Sequence, residues 1–218
     1  MKAKTVAVPL VALMAAMLAP RGHAASELSA ALAAKADPAR GAEIYRTCAA
    51  CHGDDGGGVR DGTIPAIGGM PAPLVVRQLV NFRREQRNDI RMEHFADPRH
   101  LSSAQEIADV AAHVASLERR TPAGIGDGRA LDAGARAYFR ACASCHGALG
   151  RAGRDGATPA LAGQHQAYLE RQLRDALAGR RPSMNAIHRA SLRSLSDDEL
   201  VGITDYLSRM APEPRAAR

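Results

Sequence analysis

All four cysteines of the chain fall into one arrangement used twice: Cys48-Ala-Ala-Cys51-His52, and ninety-four positions later Cys142-Ala-Ser-Cys145-His146. Two thiols three residues apart, followed at once by an imidazole, are the attachment signature of a c-type haem. Spaced by one helical turn, both thiols reach the same edge of a porphyrin and add across its vinyl groups. The next residue, His52 or His146, then lies under the iron and binds it as a metal ligand. Two copies imply two covalently attached haem c groups. Other cysteine chemistry accounts for less. A thioredoxin-like dithiol needs a βαβ setting, and the chain has no strand pattern. A zinc site needs four clustered ligands, whereas the pairs lie far apart in sequence. Structural disulfides of an exported protein leave the repeated histidine unexplained.

The segments that must position these motifs are themselves repeated. At an offset of ninety-four, Tyr45 falls on Phe139, Gly53 on Gly147, Gly62 on Gly156, Pro65 on Pro159, Gly69 on Gly163, Gln78 on Gln172, Leu79 on Leu173 and Arg87 on Arg181. Near the end of each copy the offset drops to ninety-three. There Ser103-x-x-Glu106 and Ser196-x-x-Glu199 form the capping-box pattern that opens a helix. Ile107, Val110, Val114 and Leu117 match Leu200, Ile203, Leu207 and Met210, one face at helical spacing. Each copy therefore reads as helix, cysteine motif, glycine-rich loop, helix, loop and final helix. The opening helices run from about Pro38 and Asp132 into the cysteines. The middle helices begin at Pro71-Ala-Pro73 and span Gln164 to Gly179. This is an all-α pattern of two tandem domains, 25–120 and 129–218, joined by a Gly/Pro-rich linker at 121–128. Tryptophan is absent and only seven residues are Phe or Tyr. A domain of some ninety residues buries limited apolar area, so a porphyrin would supply much of each core.

Together these features resemble the class I cytochromes c, in the two-domain di-haem form of the cytochrome c4 family. The likeness covers nearly all of the chain beyond residue 24. Besides the two cysteine motifs it rests on Pro65-Ala-Ile67, Pro159-Ala-Leu161, the run Ala162 to Leu169 and the Leu-Ser-Asp-Asp-Glu-Leu stretch at 195–200. It implies two small helical folds, each wrapped around one haem c. It also implies that the carbonyls of Pro65 and Pro159, each thirteen residues past its histidine, accept the histidine Nδ1–H and orient the ring. The sixth iron ligands it implies are Met92 and Met184, in the stretch before each final helix; a thioether there raises the potential. The register is uneven, however. Met92 and Met184 differ by ninety-two positions, whereas His94 and His188 differ by ninety-four, so bis-histidine ligation stays open. His165 and Tyr168 read either as capping residues or as partners of a haem propionate, as do Arg77 and Arg171.

Residues 1–24 have the pattern of a secretory signal: Lys2 and Lys4, an apolar run from Val6 to Leu18, and a small-residue exit before Ala25. The run is shorter than the ~20 residues that span a bilayer, and no later segment is long and apolar enough. The expected location is the periplasm. The formal charge of +6 falls to +3 once Lys2, Lys4 and Arg21 leave, and haem propionates would cancel the rest, so the charge does not argue for nucleic acid. The halves differ: twelve basic and thirteen acidic residues in 25–120, fourteen and ten in 121–218. The expected function is a di-haem electron carrier. The resemblance implies a quinol-oxidising complex or dehydrogenase as donor and a terminal oxidase as acceptor. Two alternatives use the same residues: a di-haem peroxidase or thiosulfate-oxidising enzyme with one displaceable iron ligand, and a haem subunit associated with a larger, membrane-peripheral dehydrogenase.

Overall fold

A capping aspartate and a proline in the first turn start the helix that carries the first cysteine pair. The Asp37 carboxylate accepts the N–H groups of Ala39 and Arg40, which are orphaned at a helix start. The structure, a computed structural model, describes residues 21–151 and 158–212. Among them are ten helices and no strand: α1 (Arg21–Ala33), α2 (Pro38–His52), α3 (Ala72–Arg83), α4 (Ile90–Ala96), α5 (Ala104–Ser116), α6 (Leu131–Ala141), α7 (Ala143–His146), α8 (Gln166–Leu177), α9 (Ala186–Arg193) and α10 (Asp197–Arg209). The expected signal segment lies outside the described residues up to position 20, as does Gly156. Glu27, Leu28 and Ala31, through which α1 holds the first half, all follow the expected cleavage point. None of the described helices is long and apolar enough to cross a membrane.

In each half the opening helix crosses the final helix, α2 over α5 and α6 over α10, and a glycine sits at each crossing. A Cβ on Gly41 would lie 2.0 Å from the Asp109 carbonyl oxygen, and one on Gly134 would lie 2.0 Å from the carbonyl carbon of Gly202. Only glycine allows such an approach. The first core gathers Tyr45, Val76, Val80, Ile107, Val110 and Val114; the second is smaller, built on Ala137, Tyr138, Leu169, Ile203 and Leu207. Asp109 is fully buried below the first crossing, accepting from Asp37 N, Arg40 Nε and Gln105 Nε2.

The repeat is offset differently at its start than the sequence alignment has it. Tyr45 donates its hydroxyl to the Gly53 carbonyl at 2.8 Å, and the residue that does the same in the second half is Tyr138, bonded to the Gly147 carbonyl at 2.6 Å. Phe139, the partner expected at offset ninety-four, is 54% exposed. The cause is one extra residue before the second cysteine pair. α2 runs unbroken through its motif, whereas the second helix breaks at Cys142, with φ −124°, and restarts as α7. The break absorbs the insertion.

Two helices in the stretches read as loops, α4 and α9, also escape sequence periodicity because they hold only seven and eight residues. They are started by side-chain caps: Asp89 accepts from Arg91 N and Met92 N, and Asn185 from His188 N at 2.7 Å. Both expected final-helix caps form, but differently. The box at Ser196 and Glu199 is reciprocal, whereas Glu106 reaches back to Ser102 N rather than to Ser103.

The halves are locked together by buried polar contacts. Gln164 accepts from Ala66 N at 3.0 Å and donates to Ala66 O at 2.7 Å. His165, fully buried, accepts Gly124 N–H on Nδ1 and therefore donates from Nε2 to the Gly57 carbonyl. This side chain neither caps a helix nor faces a haem site; it bridges the two halves. Equivalent stretches also meet: Asn88 N donates to Arg180 O and Ser183 N to Gln86 O.

The segment at 121–128, whose composition reads as a linker, is tied along its length. Gly126 N and Gly128 N donate to Asp205, and Asp55 accepts from Arg120 N, Thr121 N and the Thr121 hydroxyl as well as from Gly57 N. Burial acts to raise the Asp55 pKa, but these bonds outweigh it and hold the carboxyl down to about 2. A depressed carboxyl stabilises the fold above its ordinary pKa, and the contribution is lost as pH falls through the folded value. Asp55→Ala is therefore expected to speed proteolysis between 119 and 124 at neutral pH. The stability difference from wild type should persist down to about pH 4 and vanish near pH 2; a pH-independent difference would contradict the assignment.

Candidate haem sites

Cys48 and Cys51 lie on the last turns of α2, and Cys142 and Cys145 flank the break into α7. In each pair the first thiol is half-buried in its core and the second is exposed; all four are unpaired. Burial pushes Cys48 and Cys142 up to about 11. Before haem attachment they are neutral thiols that pack as apolar groups, with their sulfurs at the wall of the core.

Each helix ends on a buried histidine. The glycine that follows has φ 76° at Gly53 and 75° at Gly147, the left-handed conformation that turns the chain away from the ring. The two imidazoles are fixed alike. Nδ1 of His52 is 3.0 Å from the Pro65 carbonyl oxygen, and Nδ1 of His146 is 3.0 Å from that of Pro159. A carbonyl only accepts, so Nδ1 carries the proton and Nε2 keeps its lone pair. Burial lowers both pKa values, further reduced at His52 by the nearby Arg91 cation. Both rings are neutral and able to ligate.

Against His146 lies a small cavity of about 40 Å³ lined almost wholly by hydrocarbon, with Leu161, Leu169, Leu173 and Leu207 among its walls. Cys142 and His146 open onto it, and so does His188 from α9. The His188 and His146 ring centres are 6.1 Å apart, and His188 Nδ1 contacts the Met184 sulfur at 2.7 Å. Burial, with His146 and Arg181 nearby, lowers the His188 pKa as well. In the first half Met92 is half-buried in the first turn of α4. His94 is exposed, tilted against His100 with ring centres 4.4 Å apart and edge-on to Phe95. The repeat-equivalent histidines His94 and His188 thus have different surroundings.

The arginines of the two halves differ in their surroundings. Arg171 covers the Tyr168 ring and reaches Thr63 O. Arg77 is partly buried, with Nε unpartnered among the described residues. Arg87 and Arg181, paired only as repeat equivalents, lie close together at the junction of the halves. Arg87 donates to Gln78, Gln172 and the Tyr168 hydroxyl. Arg181 has its own buried, unpartnered Nε, and burial with the Arg87 charge lowers its pKa to about 10.

These features fit a haem: an apolar slot, paired thiols at its wall, a fixed imidazole with a free lone pair, and buried guanidinium donors for acidic substituents. Comparison with known proteins agrees. A cytochrome c family model matches residues 38–118, and that of cytochrome c oxidase, cbb3-type, subunit III matches residues 129–207. The cytochrome c4 of Thiocapsa roseopersicina is 31% identical over 80% of this chain and 93% of its own. A thiosulfate dehydrogenase electron acceptor from Stutzerimonas stutzeri (strain A1501) is 30% identical over 95% of this chain and 96% of its own. The crystal structure of reduced recombinant cytochrome c4 from Pseudomonas stutzeri superposes with a TM-score of 0.71 over 81% of this chain and 100% of that one, at 24% identity, which bears on the fold. The chain holds two covalent haem c groups, one at Cys48 and Cys51 and one at Cys142 and Cys145. It belongs to the cytochrome c4 family of di-haem electron-transfer cytochromes.

Proposed function

We propose that the chain is a periplasmic one-electron carrier that accepts electrons from a dehydrogenase or quinol-oxidising complex and delivers them to a terminal oxidase. The observation that carries this reading is the supply of donors to both faces of the second site, where His146 meets a cavity whose opposite wall presents His188, backed by Met184. A protein that offers ligands from both sides leaves no position for substrate. Haem iron supplies the reversible one-electron change. The protein residues hold the rings, exclude water with leucine walls, and keep the ligands in place between oxidation states.

In this reading His52 and His146 are proximal ligands, Pro65 and Pro159 orient them, Met92 is the distal ligand of the first haem, and the Met184–His188 pair serves the second. The signal segment 1–24 directs export before haem attachment, and residues 25–120 and 129–218 are the two working domains. A relative spanning nearly all of this chain bears the name thiosulfate dehydrogenase electron acceptor, which favours a dehydrogenase among the donors. The test is to offer the oxidised holoprotein thiosulfate alone, peroxide alone, and thiosulfate with a catalytic amount of a thiosulfate dehydrogenase. Reduction is expected only in the third mixture, followed by reoxidation on adding membranes that contain a terminal oxidase. Steady turnover with thiosulfate or peroxide alone would make the chain an enzyme instead.

A further inference from the structure

The two haem sites are not copies of each other. At the second, two histidines line one apolar cavity with their ring centres 6.1 Å apart and their planes tilted by 57°. Metal–imidazole bonds of about 2.0–2.1 Å, with a further ~1.1 Å from each nitrogen to its ring centre, separate two rings on opposite sides of one metal by about 6.3 Å. The spacing suits a shared ion. The protonation pattern suits it too. The Met184 sulfur lies against His188 Nδ1, and because a thioether accepts and cannot donate, the contact is satisfied with the His188 proton on Nδ1. Pro159 does the same for His146. Each ring has one nitrogen committed to a positioning contact and keeps a lone pair on Nε2, the pattern of a metal-bound histidine. Met184 is spent on that contact and does not line the cavity. In the first half the repeat counterpart His94 is instead exposed and tilted against His100.

Accepting the two haem sites described above, we infer that the C-terminal haem is held between His146 and His188, with Met184 orienting His188, while the N-terminal haem is held between His52 and Met92. Imidazole in place of thioether removes the preference for reduced iron, so the C-terminal haem has the lower potential. In the half-reduced protein the electron resides in the N-terminal domain. Transfer inside the molecule runs downhill from the C-terminal half to the N-terminal half. The more basic second half is then the side that receives electrons.

The test uses the oxidised holoprotein and four variants, read by haem count, by the far-red methionine–iron charge-transfer band, and by redox titration with low-spin and high-spin signals followed by electron paramagnetic resonance. Wild type is expected to carry two haems, both low-spin, with a band equivalent to one. Met92→Leu abolishes the band. Met184→Leu leaves it at full strength and moves only the lower potential. His188→Leu leaves the band but turns one haem high-spin, and His188→Met restores low spin and doubles the band. A wild-type band equivalent to two haems, halved by Met184→Leu and untouched by His188→Leu, would overturn the inference. So would the persistence of two low-spin haems in His188→Leu. If that variant does not fold, the wild-type band and Met184→Leu still decide. Fewer than two haems, or a wild-type band that survives Met92→Leu, would instead strike the underlying assignment of the sites.

Discussion

Replacing Cys142 and Cys145 together with alanine is expected to yield a chain with one covalent haem and a C-terminal half without fixed packing. The second core is small, resting on five buried side chains around a leucine-lined cavity. It cannot offset the conformational entropy of the half on its own when whole domains are stable by only about 5–15 kcal/mol. The cost should exceed that of a single core truncation, about 2–5 kcal/mol, because an entire prosthetic group leaves the interior. Haem count and intact mass would give one equivalent. Thermal unfolding followed in the Soret band should retain a transition from the first half, whose core is larger. Limited proteolysis should cut first within 129–212. Retention of two haems would remove the basis for attachment at this pair.

The second large effect is expected at the helix crossings. Gly134→Ala places a carbon 2.0 Å from the carbonyl carbon of Gly202 and 2.1 Å from its oxygen. Backbone cannot swing aside as a flexible side chain does, so α6 and α10 must separate along their whole contact. Overpacking typically costs 1–3 kcal/mol, and here about 3 kcal/mol is expected. For a domain of this size that lowers the melting temperature of the C-terminal transition by about 12 °C or more. The equivalent change at Gly41, against the Asp109 carbonyl oxygen, should act on the N-terminal transition and leave the other nearly unchanged. A cost below about 1 kcal/mol at either position would mean that the helices slide freely past each other.

Much of the architecture is legible in local chemistry. Thiols and imidazole at fixed spacing name a cofactor whatever the surroundings. The capping residues Ser103 and Ser196 open α5 and α10, where the apolar stripe at helical spacing shows which face is buried. Nδ1 of His52 and of His146 each lies 3.0 Å from a proline carbonyl oxygen, that of Pro65 or Pro159, a contact that only the family resemblance implied. What escaped the sequence depends on single-residue slips and on partners distant in the chain. The extra residue in the second opening helix cannot be located without seeing the break at Cys142, since two aromatics, Tyr138 and Phe139, compete for one alignment. The short helices α4 and α9 complete too few turns to show a period.

By itself, then, the amino-acid order determined the number of haems, the cysteines that attach them and the all-helical repeat, because each rests on covalent reach or on the pitch of one helix. Only the tertiary structure decided that His188 shares a cavity with His146, and that the halves are locked rather than strung on a free linker. Met184 and His188 sit one helical turn apart, and periodicity treats them alike. Their surroundings separate only when α9 docks and, of the two, His188 lines the leucine-walled cavity with His146. Gln164 and His165 likewise look like helix-start residues until Ala66, Gly57 and Gly124, tens of residues away, arrive to satisfy them. A buried polar group must find its partner wherever the chain happens to bring one, and no local pattern records where that will be.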